Sequence, residues 1–150
     1  SILMKEFNDF LNNTNSKEVL EDVIKSGLSP NILKLAGAKV FTGSKEELQA
    51  KLGFSIDTNG RIFIEFPYFT QEGLIPFYRY KVLPPIVIDG KEIKYLHPKN
   101  TPAIPYILPI IWEVKDKSNR PIWITEGEKK ALKLIQYGKN AIGLSGVWNF

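Results

Sequence analysis

The sequence holds no cysteine, one methionine and a single histidine. Without cysteine there is no disulfide framework and no thiolate zinc site. His97, as the only histidine, has no imidazole partner for a metal centre, so it is expected to be structural or a phosphate contact. No apolar run approaches the ~20 residues that a membrane helix needs, and the opening SILMKEFNDF lacks the basic end and long apolar body of a signal peptide. No membrane association and a cytoplasmic location are therefore expected. What is present is an ordinary globular composition, with 43% hydrophobic and 24% charged residues in 150, enough for one domain or two small lobes.

The net charge of +4 is unevenly spread: residues 1–60 carry seven Lys against eight acids, whereas residues 61–150 carry thirteen Lys or Arg against eight. Such an excess suits an anionic partner, or no more than a solvated surface.

Taken in order, the polar cluster at Asn12 to Ser16 ends a short amphipathic helix. Ser16 or Asn15 is placed to cap a helix over Lys17 to Ser26, and Ser29-Pro30 opens another that ends near Gly37. Ser44, with Glu47 three residues on, caps a third that stops at Gly53. From Asn59 the period changes to two. Arg61 to Phe66 pairs through a turn at Gln71-Glu72-Gly73 with Leu74 to Val82, and Asp89-Gly90 turns Ile86 to Ile88 into Lys91 to Leu96. Thr101 to Pro109, with three prolines, is an extended connector. Ile110 to Val114 reads as a strand.

On the hairpins, Arg61, Arg79, Lys81, Lys94 and Lys99 are interleaved with Tyr68, Tyr78, Tyr80 and Tyr95. Basic groups that track phosphates and aromatic faces that stack bases, worth ~1–3 kcal/mol per base, suit single-stranded nucleic acid. An ordinary antiparallel sheet with basic residues on its wet face gives the same pattern. Trp112 and Trp123 read as core or interface anchors rather than base-stacking platforms; Trp148 is left open between those two roles.

Pro121 to Thr125 is a β-favouring run that stops at Glu126-Gly127, and helix-period apolar residues follow at Ala131, Leu132, Leu134 and Ile135. Gly138 ends that helix and Asn140 to Leu144 resumes as a strand, which makes a βαβ unit with parallel strands. Groups that act in such sheets lie beyond the carboxyl ends of the strands, and Glu126 stands there. Its carboxylate either caps the helix or serves as a general acid/base or metal ligand acting on phosphate.

ITEGEKKALKL, a short spacer and AIGLSGVWNF together resemble the opening of a TOPRIM domain, in the version found in uncharacterised primase-like proteins of plasmids and phages. The resemblance implies that Glu126 is an acid/base and metal-site residue for Mg²⁺ or Mn²⁺, with Gly127 as its turn partner. It also sets Gly146 close to nucleotide or metal. Upstream, GRIFIEFPYFTQEGLIPFYRY and IKYLHPKNTPAIPYILP resemble the primase-core hairpin and its Lys-Tyr segment, which implies that Arg61, Arg79, Lys94 and Tyr95 face a template strand and an incoming nucleotide. Two departures stand out. Lys130 replaces an acid that bacterial primases often carry four places after the glutamate, and the family's Asp-x-Asp metal motif has no counterpart before Phe150.

The expectation is thus an α+β chain in three parts: a helical N-terminal region over 1–58, an antiparallel, basic, primase-core-like lobe over 59–114, and over 115–150 the incomplete first βαβ unit of a TOPRIM-type parallel sheet. As a function it implies the front portion of a primase-like DNA replication protein that binds single-stranded DNA and nucleoside triphosphates and lends Glu126 to Mg²⁺-dependent nucleotidyl transfer. The fragment alone should be inactive or nearly so. The alternative is a non-catalytic nucleic-acid-binding or interaction module that docks a helicase or polymerase.

Overall fold

The computed structural model describes residues 2–114 and 119–145; Gly146 and Trp148 lie outside the described residues. The first helices are α1 (Ile2–Glu6), α2 (Asn8–Leu11), α3 (Lys17–Lys25) and α4 (Pro30–Ala36), and α5 (Lys45–Leu52) follows a two-residue strand, β1 (Lys39–Val40). The starts of α3, α4 and α5 are fixed by local chemistry. The hydroxyls of Ser16, Ser29 and Ser44 accept from the amides of Val19 at 3.3 Å, Ile32 at 3.3 Å and Glu47 at 3.1 Å. Each cap satisfies an amide that the helix cannot, a contribution of ~1 kcal/mol.

β1 was not foreseen, and it changes the sheet. It pairs antiparallel with β2 (Ile62–Thr70), which pairs with β3 (Gly73–Ile88) and through it with β4 (Lys91–Leu96), in the order β1-β2-β3-β4. The two expected hairpins share one strand, since β3 runs 16 residues without a break. β2 is covered on both faces. Ile64, Phe66 and Tyr68 enter the main core with residues of α2, α3, α4 and α6, while Phe63 enters a smaller one with Leu48 and Leu52 of α5. Period-two alternation here sorts side chains between two cores, not between core and water.

Ile110 to Val114 is not a strand. It belongs to a helix, α6 (Pro109–Val114), and the extended connector ends one residue earlier than its last proline. Pro109 occupies the first helical position, where its missing N–H costs nothing, and Ile111 is buried in the main core. Burial of one helical face outweighs the strand preference of an Ile-Ile-Trp run.

β5 (Ile122–Glu126), α7 (Gly127–Gln136) and β6 (Asn140–Leu144) form the expected βαβ unit, with β5 and β6 parallel from Ile122↔Asn140 to Glu126↔Leu144. α7 ends at a left-handed Gly138, and the amide of Lys139 reaches back to the Leu134 carbonyl at 3.0 Å. Ala131 and Leu132 join α7 to the main core, so the βαβ unit shares that core with the helices and the antiparallel sheet. Trp123 is 46% exposed beside Lys139, not a core anchor among the described residues, whereas Trp112 is half-buried. No helix among the described residues is long and apolar enough to cross a membrane.

Candidate functional site

β5 delivers Glu126 to its carboxyl end, and the chain turns at once into α7. Glu126 is exposed, and although it occupies the capping position of α7 its side chain makes no capping hydrogen bond. The carboxylate is therefore presented to the cleft and to water. Gly127 takes φ +78°, a left-handed conformation that a side chain would strain. Gly143 of β6 packs against this turn so closely that an added Cβ would lie 2.5 Å from the Gly127 carbonyl oxygen. Sequence reasoning missed Gly143, though a glycine inside a strand is itself a sign of close backbone approach. Tyr106 clamps the same residue from the connector, with backbone bonds of 2.7 and 3.0 Å to Gly143.

In front of this turn lies an open cleft of about 410 Å³ in which Arg79, Lys94, Tyr95, Glu126 and Gly127 converge. β3, β4, β5 and α7 each contribute to it. Two segments distant in sequence, the β3–β4 hairpin and the β5–α7 turn, thus bring five of the sequence-predicted residues together. Glu128, Lys129, Lys130 and Ser145 complete the lining.

Glu128 is a second residue that sequence reasoning missed. It is fully buried, and it accepts the Tyr68 hydroxyl at 2.8 Å and Arg79 Nη1 at 2.9 and 3.1 Å on its two oxygens. The signal was present in α7, where Glu128, Ala131, Leu132 and Ile135 fall at i, i+3, i+4 and i+7 and so share the buried face. A carboxylate on that face needs partners, and two strands supply them. Arg79 is held with its guanidinium carbon 4.8 Å from the centre of the Tyr95 ring. Burial, with the Glu128 charge next, pushes the Tyr68 and Tyr95 hydroxyls well above the usual phenol range. Both stay protonated, and Tyr68 acts as a donor. His97, exposed nearby, is held below the ordinary imidazole value, first by partial desolvation and then by the Arg79 charge, which favours its neutral form.

Two of the tyrosines considered as stacking platforms are not available for that role. Tyr68 and Tyr80 are each 0% exposed, with their hydroxyls bonded to Glu128 and Glu65. Tyr78 and Tyr95 remain half-buried. Arg61 does not join the cleft. It lies against Asp57 at 3.7 Å and lines a separate, smaller cleft of about 220 Å³ with Ser44, Leu48 and Phe63.

No three acidic or histidine side chains among the described residues are grouped to hold a metal ion. Mg²⁺ is commonly held through one or two carboxylates, its remaining positions going to water and substrate phosphates. The exposed Glu126 carboxylate, with Lys94 beside it for phosphate, fits such a shared ion as one ligand.

The sequence of residues 111–150 matches a family described as a domain of unknown function, DUF3854. No curated protein matches the sequence. Among solved structures, the fold is similar to the Escherichia coli primase catalytic core, at TM-score 0.57 and 19% identity over 95% of this chain and 51% of that one. It is similar to a DnaG primase catalytic domain bound to single-stranded DNA, at TM-score 0.57 and 18% identity over 95% of this chain and 52% of that one. The primase of Aquifex aeolicus, with its zinc-binding and RNA polymerase domains, matches at TM-score 0.60 and 14% identity over 95% of this chain and 40% of that one. The chain therefore shares the fold of primase catalytic cores and spans about half the length of the solved cores it matches.

Proposed function

We propose that this chain is the front portion of a primase-like, TOPRIM-type replication protein of the plasmid or phage kind, and that single-stranded DNA and a nucleoside triphosphate bind across the cleft at Glu126. The observation that carries this reading is the convergence of Arg79, Lys94 and Tyr95 with an unbonded Glu126 at a strand tip, on a primase-core fold. Lys94 is exposed and meets phosphate first. Arg79, fixed by Glu128, presents a charge whose position is set before the ligand arrives, so little ordering is required on binding. Tyr95 offers an aromatic face next to it. Gly127 lets the backbone turn tightly beside Glu126; the resemblance adds Gly146, outside the described residues, as a nucleotide contact.

Glu126 would share Mg²⁺ or Mn²⁺ with the phosphates of the substrate; the ion, when bound, supplies neutralisation of phosphoryl charge. Glu126 itself orients the bound phosphate or takes a proton from the attacking hydroxyl. The chemistry calls for more carboxylates than the described residues group together, which favours a second reading, a binding module for a helicase or polymerase without catalysis of its own. Glu126→Gln in the complete protein separates the two. The enzymatic reading expects primer synthesis on single-stranded DNA to fall by orders of magnitude while DNA binding is kept; unchanged synthesis would leave only the binding module.

A further inference from the structure

A second charged cluster lies beside the Glu126 cleft. Asp22 on α3 meets Lys81 of β3 at 2.5 Å and Lys129 of α7 at 2.9 Å, one ammonium on each carboxylate oxygen. The three side chains are only 16%, 12% and 15% exposed. A single ion pair would need one lysine. Here one carboxylate faces two, so a positive charge is left uncompensated where water is scarce, an arrangement that destabilises unless an anion joins it. Lys25 and Lys94 add charge of the same sign around an open cleft of about 410 Å³ over the cluster, and Lys94 and Lys129 also line the Glu126 cleft. The two clefts adjoin.

We infer that Lys81 and Lys129 form a phosphate-binding site next to the Glu126 cleft, with Asp22 holding the two ammoniums in place until a phosphate oxygen takes over part of their hydrogen bonding. The ligand chemistry is a phosphate ester or pyrophosphate, supplied either by the backbone of a single strand or by the tail of a nucleoside triphosphate. Only that choice of source rests on the proposed function; the site itself rests on the cluster. The charged groups around Lys129 are Asp22 and Lys25 of α3, Lys81 of β3 and Lys94 of β4 on this side, and on the side of the Glu126 cleft Glu126 itself, Lys130 and the mutually paired Arg79 and Glu128. Burial, and then Lys81, lower Lys129 to about 8 against the pull of Asp22. A bound phosphate provides the negative charge that is short.

The test follows the side-chain NMR signal of Lys129 in the wild-type protein through pH titrations with sodium pyrophosphate, with ATP and with an oligothymidylate. The midpoint should rise from about 8 toward the ordinary lysine value in at least one of them. A rise with pyrophosphate and ATP alone assigns the site to the nucleotide, and a rise with the oligothymidylate assigns it to the strand. Lys81→Gln and Lys129→Gln should each weaken that binding on the order of tenfold, as expected for one lost charge-assisted hydrogen bond. Asp22→Asn, by removing the competing carboxylate, should tighten it severalfold, whereas a purely structural ion pair gains nothing from that change. If Asp22→Asn does not fold, the wild-type titration decides. A midpoint that stays in place with all three ligands at saturating concentration overturns the site. A rise with pyrophosphate in a chain that binds no DNA would keep the site and remove the proposed function.

Discussion

Two buried glutamates in this molecule have almost the same partners and different consequences. Glu65 of β2 accepts the Tyr80 hydroxyl at 2.7 Å and pairs with Lys51 at 3.1 Å; Glu128 of α7 accepts the Tyr68 hydroxyl at 2.8 Å and pairs with Arg79 at 2.9 Å. Glu65 draws its partners from within about fifteen residues, and Lys51 stays 36% exposed, so its charge reaches water if the pair breaks. Glu128 reaches across 60 and 49 residues, and Arg79 is 12% exposed at the edge of the cleft. The same chemistry steadies a local sheet corner in one place. In the other it joins α7 to the sheet and holds a cation at the edge of the Glu126 cleft.

The largest break in that symmetry should come from the alanine variants. Glu128→Ala strands a buried guanidinium and is expected to lower unfolding stability by ~3–5 kcal/mol in urea titrations. Glu65→Ala leaves a lysine that can turn to solvent, and should lower it by ~1–3 kcal/mol. Equal losses would mean that Arg79 finds water as easily as Lys51 does. Removing only the donors sharpens the comparison. Tyr68→Phe and Tyr80→Phe each delete one hydrogen bond to a charged acceptor and should each lower stability by ~1.5–3 kcal/mol, with only Tyr68→Phe also weakening DNA binding, through looser support of Arg79.

How legible these sites were in the sequence depends on reach. The caps at Ser16, Ser29 and Ser44 act within three residues, and all three were readable from their neighbours. The order of helices, antiparallel hairpins and βαβ unit was readable from period and turn residues. β1 has only two residues, and its existence is decided by β2, more than twenty residues away. α6 was read as a strand because Ile and Trp favour strands, while its helical form is settled by where Ile111 packs. Glu126 and Gly127 stood out because a turn between strand and helix is local. Glu128 did not, because its partners lie on strands far upstream, and only its place on the apolar face of α7 signalled burial. Arg61 and Arg79 look alike in sequence, yet they line separate clefts, since nothing in a period-two pattern says which layer will cover which strand.

A smaller effect concerns pH. Lys129 is lowered to about 8 from 10.5, so between those values the unfolded chain binds more protons than the folded one. Stability should therefore rise as pH increases from about 8 to about 10.5 on this account, and Lys129→Met should flatten that limb. Asp22 runs the other way at acid pH. Burial raises its pKa, but the hydrogen bonds from Lys81 and Lys129 prevail and hold it below 3.8. Its contribution is present above the unfolded value and is lost as pH falls through the lower folded one. Urea midpoints across pH 2–10 read both limbs, and the Glu65 corner supplies an internal reference, as neither lysine pairs with it.

In the proposed function, ligand recognition is concentrated at the junction of β3, β4 and α7 rather than spread over every basic residue of the sheet. Lys94→Ala tests this most cleanly because Lys94 is exposed and its loss leaves no buried charge behind, and Arg61→Ala is the matched control. The measurement is the affinity of each variant for labelled single-stranded DNA across a range of salt. Affinity that falls with salt, with a slope shallower by ~0.7 in Lys94→Ala and unchanged in Arg61→Ala, is the predicted result. Equal losses from both variants, or binding indifferent to salt, would contradict it.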